Sequence, residues 1–237
     1  MQDPAHCATA ATASICNYYN SKIDYEQTKK VAQFFLGPLN GGLVDGEMGI
    51  LFNLLGFRVV DIITTDLYLF DYSWATFGRR KLIATMEKAK NKISEEYRED
   101  FKHLIKFLRN RGFKNNIIID YNFGKHIRKC LDKHILVLLG FNWTMFFKMP
   151  KENCWGAKSP ARGYWQYHAI VGYRYDEKGV YVCDSHQEAY KYRLKRFRTG
   201  RYKISWENLA TVLEGGSIII PKDYDIEIYN KTIKGMG

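Results

Sequence analysis

The pattern of hydrophobic and polar positions changes along the chain, from mainly helical spacing to mainly strand spacing. Residues 7–20 are small and apolar, and Asp3 and Pro4 precede them as chain breakers precede a helix start. We predict helices over 7–20, 25–35, 45–55 and 125–133, and one that begins at the N-cap Ser205. We predict strands over 58–63, 135–141, 167–175, 180–183, 190–197, 201–204 and 217–220. Helices followed mainly by strands indicate the α+β class.

The segment 83–111 has a different composition, rich in Lys and Glu. Its apolar residues Phe101, Leu104 and Leu108 recur at helical spacing, and Gly112 follows as a possible C-cap. We predict one long amphipathic helix here. This helix either packs on the domain surface, which is the interpretation we favour, or binds a partner.

Composition indicates a folded chain with an excess of positive charge. The 237 residues are 46% hydrophobic and 15% aromatic, and the formal net charge is +11. We expect a single domain over residues 1–237. This net positive charge is compatible with binding to nucleic acid, to an anionic surface or to an acidic substrate. A solvated Lys-rich surface explains the charge more simply.

The chain contains neither an apolar run long enough to cross a membrane nor a visible signal peptide. It has five cysteines and no C-x-x-C pair, which argues against a disulfide framework and against a structural zinc site. We therefore expect a reducing, cytoplasmic setting.

Three residues have the types and contexts of a thiol catalytic group. Cys7 lies at the start of a predicted helix, where the macrodipole favours a thiolate. His168 lies in one strand of a predicted hairpin, and Asp184 follows the other strand. A nucleophilic cysteine needs a histidine to accept its proton, and the histidine needs a carboxylate or amide to orient it.

These motifs resemble papain-like cysteine peptidases, specifically the peptidase family C39 and C39-like group, which includes the leader-peptide-cleaving domains of bacteriocin exporters. The resemblance rests on Gln2 shortly before Cys7, on a small-residue helix that ends in the Asn-Tyr-Tyr of 17–19, and on the His-Ala-Ile-Val-Gly-Tyr of 168–173. A strand that ends at Asp184 completes it.

The resemblance implies a papain-like α+β fold, with an N-terminal helical lobe that carries Cys7 and a C-terminal antiparallel sheet that carries His168 and Asp184. It implies that Cys7 is the nucleophile, that His168 acts as base and then acid, and that Asp184 orients His168. Gln2, with the Cys7 backbone N–H, is implied as the oxyanion donor. No cofactor and no metal are expected.

The resemblance covers residues 1–60 and 117–221. It does not cover 65–112, which we interpret as a helical insertion that is atypical of the family. An Ala-Thr pair follows Cys7 where the family usually has Gly-Pro.

The resemblance predicts a cysteine peptidase that hydrolyses a peptide or isopeptide bond through a thioester at Cys7. An acyltransferase similar to phytochelatin synthase, with the same three residues, is one alternative. A non-catalytic basic binding module on the same scaffold is another.

The segment 190–198 alternates aromatic and cationic residues. Such a pattern can bind nucleic acid or an anionic peptide, but its period of two favours a half-buried strand with a solvated face. We expect a peptide or protein substrate, for which an acidic character would match this segment, and we do not expect nucleic acid as a partner.

Overall fold

The computed structural model describes residues 6–39, 42–64, 66, 69–148, 150–151, 158, 161, 167–185, 200–213 and 216–236. The predicted oxyanion donor Gln2 and the predicted strand 190–197 lie outside the described residues.

The described residues form nine α-helices and seven β-strands, which confirms the α+β class. The helices are α1 (Cys7–Tyr19), α2 (Tyr25–Leu36), α3 (Asp45–Leu54), α4 (Arg79–Ala89), α5 (Glu95–Arg109), α6 (Phe123–Leu131), α7 (Trp143–Phe146), α8 (Trp206–Val212) and α9 (Ile226–Lys234). The strands are β1 (Phe57–Thr64), β2 (Lys114–Ile119), β3 (Val137–Asn142), β4 (Tyr167–Asp176), β5 (Gly179–Cys183), β6 (Arg201–Ser205) and β7 (Ser217–Tyr224). The sequence pattern does not predict β2, α7 or α9.

All seven strands belong to one open sheet in the order β2-β1-β7-β3-β4-β5-β6. The β1–β2 pair is parallel, and the other neighbours are antiparallel. The sheet is therefore mixed, whereas the resemblance implies an antiparallel sheet in the C-terminal part of the chain. Strands β1 and β2 come from the N-terminal half, and β7 joins them to β3.

The sheet has an apolar core on each face. Helices α1 to α5 and α9 contribute to the core on one face, and α6 and α8 contribute to the core on the other. Successive residues of one strand alternate between the two, as with Leu138 and Leu139 of β3. Burial on both faces explains why the central strands are almost continuously apolar in sequence.

Helix α1 lies inside the domain, since eight of its 13 residues are buried. Alanines such as Ala8 and Ala11 line the side that enters the core. Small side chains allow the helix to approach the sheet and its neighbouring helices closely. This close packing fixes where the first residue of the helix, Cys7, meets the sheet.

The predicted single helix over 83–111 is wrong, because two helices, α4 and α5, occupy this region. Helix α4 ends at Ala89, and the backbone of Ser94 is extended (φ −59°, ψ 154°) immediately before α5. Buried residues Met86 and Phe101 belong to the same core as α1 and α3. The segment is therefore part of the main core.

A buried pair of asparagines connects this segment to the sheet. Asn53 and Asn115 exchange hydrogen bonds of 3.1 Å and 2.8 Å. The Asn53 amide also donates to the Phe57 carbonyl at 3.0 Å, and the Asn115 amide donates to the Phe107 carbonyl at 2.9 Å. Asn110 donates to Oδ1 of Asn53 at 3.1 Å. The pair thus fastens α3, α5, β1 and β2 together.

We predict that Asn53→Ala lowers the free energy of unfolding by about 2–3 kcal/mol, because it leaves buried partners without hydrogen bonds. Urea unfolding followed by circular dichroism measures the change. Asn230→Ala, which truncates an exposed amide on α9, is the matched control. Equal midpoints for the two variants would contradict a structural role for the pair.

Candidate thiol site

Three elements bring the predicted site residues to one edge of the sheet. Cys7 is the first residue of α1, His168 is the second residue of β4, and Asp184 directly follows β5. Because β4 and β5 form an antiparallel hairpin, the start of one lies beside the end of the other, and Val171 pairs with Cys183. The structure therefore places His168 and Asp184 side by side.

Local backbone contacts fix the register of this hairpin. The Asp176 carboxylate accepts hydrogen bonds from the backbone N–H groups of Lys178, at 2.8 Å, and Gly179, at 3.0 Å. A side chain at Gly179 would overlap the Ile204 carbonyl of β6. Glycine is thus required at this position of β5, and the turn sets which residues face each other farther along the strands.

His168 and Asp184 form a buried pair. Nε2 of His168 lies 2.7 Å from Oδ1 of Asp184, and the side-chain exposures are 2% and 0%. The Tyr202 hydroxyl donates to Oδ2 of Asp184 at 2.9 Å. The Asp184 backbone N–H donates to the Gly200 carbonyl at 2.7 Å. Both carboxylate oxygens are therefore occupied, and the carboxylate is held in one orientation.

Cys7 hydrogen-bonds the His168 side chain and the backbone N–H groups of Ala169 and Ala8. Since Nε2 of His168 faces Asp184, we infer that Nδ1 is the ring nitrogen that faces the sulfur. Burial alone raises the pKa of the Cys7 thiol, but His168 and the two N–H groups outweigh it and leave the pKa below its usual value.

The pKa of His168 is shifted in the complementary direction. Burial alone lowers it, but the Asp184 carboxylate and the Cys7 sulfur raise the pKa of His168 to about 10. A lowered thiol pKa beside a raised imidazole pKa favours a thiolate–imidazolium pair near neutral pH. Such a pair is the activated form of a cysteine nucleophile.

Aromatic rings enclose the imidazole. The Trp143 ring lies 5.4 Å from the His168 ring at an angle of 33°, and the Phe141 ring lies 5.9 Å away, edge-on. Phe146 stacks on Tyr202 at 5.9 Å. Helix α7 carries Trp143 and Phe146 and begins where the Asn142 side chain accepts the Met145 N–H. These rings keep water from the His168–Asp184 hydrogen bond, which strengthens it.

The sequence motifs identify Cys7, His168 and Asp184, and the structure brings these three together. Sequence reasoning missed Tyr202 and Trp143. Tyr202 pairs with Val182 across β5 and β6, and Val182 lies two residues before Asp184. This pairing would be the signal for Tyr202, but it cannot be known before the strands are aligned. His6, the neighbour of Cys7, has its Nδ1 3.1 Å from the Tyr25 hydroxyl on α2.

A group of carboxylates lies on the α1 side of the same sheet edge. The Ser217 hydroxyl donates to Asp45 at 2.7 Å. Burial raises the pKa of Asp45 to about 6, and burial together with the charges of Asp45 and Asp66 raises the pKa of Asp100 to about 6.

Within the described ranges, no set of three or more His, Cys, Asp or Glu residues is arranged to hold a metal ion.

No protein-family model, no curated protein and no solved structure matches this chain. Among the helices that the structure describes, none is both long and apolar enough to cross a membrane.

We predict that iodoacetamide modifies Cys7 well below pH 9, because its pKa is lowered and the thiolate is the reactive form. The variant His168→Ala should slow this reaction at pH 7 by about tenfold or more, since each pKa unit changes the thiolate fraction about tenfold. Peptide mapping by mass spectrometry measures the rate, with buried Cys16 as the internal control. A Cys7 rate that is independent of His168 would contradict the pair.

We predict that Tyr202→Phe slows Cys7 alkylation by about threefold to tenfold and shifts its pH inflection towards 9. Without the Tyr202 hydrogen bond, the Asp184 carboxylate is no longer held in line with Nε2 of His168. The imidazolium that lowers the pKa of the Cys7 thiol is then less well stabilised. The pH profile is the decisive measurement, since loss of packing alone leaves it in place. Tyr173→Phe, at an exposed tyrosine on β4, is the control. Identical profiles for the two variants would remove Tyr202 from the site.

Proposed function

We propose that this protein is a papain-like cysteine peptidase that hydrolyses a peptide or isopeptide bond through a thioester at Cys7. The observation that carries the proposal is the continuous hydrogen-bonded series Cys7–His168–Asp184, with the pKa of the thiol lowered and that of the imidazole raised. This combination is the chemistry that a cysteine nucleophile needs.

In the proposed first step, the Cys7 thiolate attacks the substrate carbonyl carbon. A C–S bond forms, and the carbonyl electron pair moves to oxygen. Among the described residues, the N-cap His6 makes no side-chain hydrogen bond to the start of helix α1, and the first turn of the helix has no acidic residue. The positive end of its dipole is therefore directed at the thiolate and at the developing oxyanion. The resemblance assigns a second donor, Gln2, to the same oxygen.

The oxyanion then collapses, and the C–N bond breaks. His168 transfers a proton from Nδ1 to the leaving amine, and a thioester remains on Cys7. The neutral imidazole next takes a proton from water, whose oxygen attacks the thioester and releases the acid. Asp184 and Tyr202 keep the ring in the orientation that both proton transfers require.

Acyl transfer to an amine is the second candidate, and the aromatic enclosure of His168 favours it. Trp143 and Phe141 pack against the imidazole and restrict the approach of water to this base. A thioester that water does not attack survives until an amine arrives. Both candidates use Cys7, His168 and Asp184 identically up to the thioester, and they differ only in the second nucleophile.

We predict that p-nitrophenyl acetate acetylates Cys7 with a burst of p-nitrophenol, and that intact-mass measurement detects the acetyl-enzyme. Cys7→Ala should abolish the burst, and His168→Ala should reduce its rate by about 10²-fold or more. Cys183→Ala, which removes another half-buried thiol, should leave it unchanged. A burst that survives in Cys7→Ala would overturn the proposal.

The same assay separates the two candidates. Adding glycinamide supplies an amine acceptor. Loss of the acetyl group at a rate independent of glycinamide supports hydrolysis. A rate that rises in proportion to glycinamide, with formation of acetyl-glycinamide, supports acyl transfer.

A further inference from the structure

A cleft of about 610 Å³ opens where α2, α3, α4 and α5 end. We call it the basic cleft. Its apolar lining consists of Phe35, Ile50, Leu54 and Ile105. The size lies in the range of sites that bind ligands or partner side chains. None of these residues belongs to the thiol site.

Cations line the cleft, and carboxylates neutralise only part of their charge. Lys102 pairs with Glu99, while Lys90 and Arg109 share Glu87. Lys106 and Arg111 also line the cleft, are exposed, and have no ion pair among the described residues. Charge from the carbonyl end of α5 can account for cations in its last turn. Arg111 lies beyond that turn, and Lys102 lies before it. The helix dipole therefore does not explain the presence of these two cations.

The cations on α5 form a regular stripe. Lys102, Lys106 and Arg109 are spaced by four and three residues, which places them on one side of the helix over about 10 Å. Ile105 lies beside the stripe and contributes to the apolar lining. Carboxylates at positions i, i+4 and i+7 of another helix repeat over the same distance. The stripe therefore matches an acidic helix in both charge and spacing.

Exposed aromatic rings extend the apolar lining beyond the cleft. Phe34 is 57% exposed and Phe35 37% exposed, and their rings lie 4.9 Å apart. Adjacent exposed phenylalanines beside a groove indicate a surface that a partner covers. An apolar lining flanked by cations suits an amphipathic helix better than it suits a nucleic acid backbone, which offers phosphates and no aliphatic face.

We propose that the basic cleft docks an acidic amphipathic helix of another protein. The apolar side of that helix packs on Phe35, Leu54 and Ile105, and its carboxylates face the α5 stripe and Arg111. This interaction is independent of thioester chemistry at Cys7.

The probe is a fluorescein-labelled 18-residue peptide with Leu at helical spacing and Glu beside each Leu position. Fluorescence anisotropy with the Cys7→Ala protein measures its dissociation constant. A peptide of the same composition in scrambled order tests the amphipathic requirement, and a version with Lys in place of Glu tests the charge. We expect the ordered acidic peptide to bind at least about tenfold more tightly than either control.

The double variant Lys106→Glu with Arg111→Glu should weaken binding of the ordered peptide about tenfold or more. Lys129→Glu with Lys133→Glu makes the same charge change near the end of α6, which packs on the opposite face of the sheet, and should leave binding nearly unchanged. Circular dichroism melts establish that both double variants are folded.

Three outcomes would overturn the proposal. One is equal binding of the ordered and scrambled peptides, which would show attraction by charge alone. Another is equal loss of affinity in the two double variants. The last is displacement of the peptide by an 18-nucleotide single-stranded DNA of comparable affinity, which would assign the cleft to nucleic acid.

Discussion

The burial of a charged histidine–carboxylate pair is the constraint on which the rest of this fold depends. Removing two charges from water costs several kcal/mol for each ion, and only well-placed partners offset that cost. The partners of His168 and Asp184 come from α1, β4, β5 and β6. A slip of one residue in any of these strands would turn the side chain to the opposite face of the sheet. The register of three of the seven strands is therefore tied to this one pair.

The same constraint explains the composition of α1. A thiol that meets a buried imidazole must itself be carried into the domain, so its helix has to fit between the sheet and α2 and α3. Alanine and threonine fill most of the buried positions of α1. A larger side chain there would push the helix outward and would separate sulfur from imidazole. Small side chains in α1 are thus required both for close packing and for the contact between Cys7 and His168.

The sequence is informative where local pattern decides the structure. Helix α1, the β4–β5 hairpin and the Ser205 cap of α8 follow from small-residue runs, turn residues and capping chemistry, and the structure has all three. Other features depend on contacts between distant segments. Strand β2 begins Lys-Asn-Asn, and Asn115 can be buried only because Asn53 meets it. The break before α5 contains neither Pro nor Gly. Its position is instead associated with tertiary packing, because Met86 of α4 and Phe101 of α5 are both buried in the same core.

The candidate site also contains residues that local sequence identifies and residues that only the tertiary structure identifies. Cys7, His168 and Asp184 are visible as motifs because each lies in a distinctive local sequence. Tyr202 becomes part of the site only through the alignment of β5 with β6, and Trp143 only through the position of α7 over His168. The three candidate site residues are thus encoded locally. The groups that hold them in place are encoded by tertiary structure.

The central position of β7 has a consequence for how the protein is made. Strand β7 pairs with β1 on one side and β3 on the other, yet it is synthesised after both. Until the ribosome has added Ser217–Tyr224, the nascent chain carries two unpaired, largely apolar strand edges that are templates for misassociation. Closure of the sheet is therefore a late event in biosynthesis, since both edges gain their partner only when β7 is present.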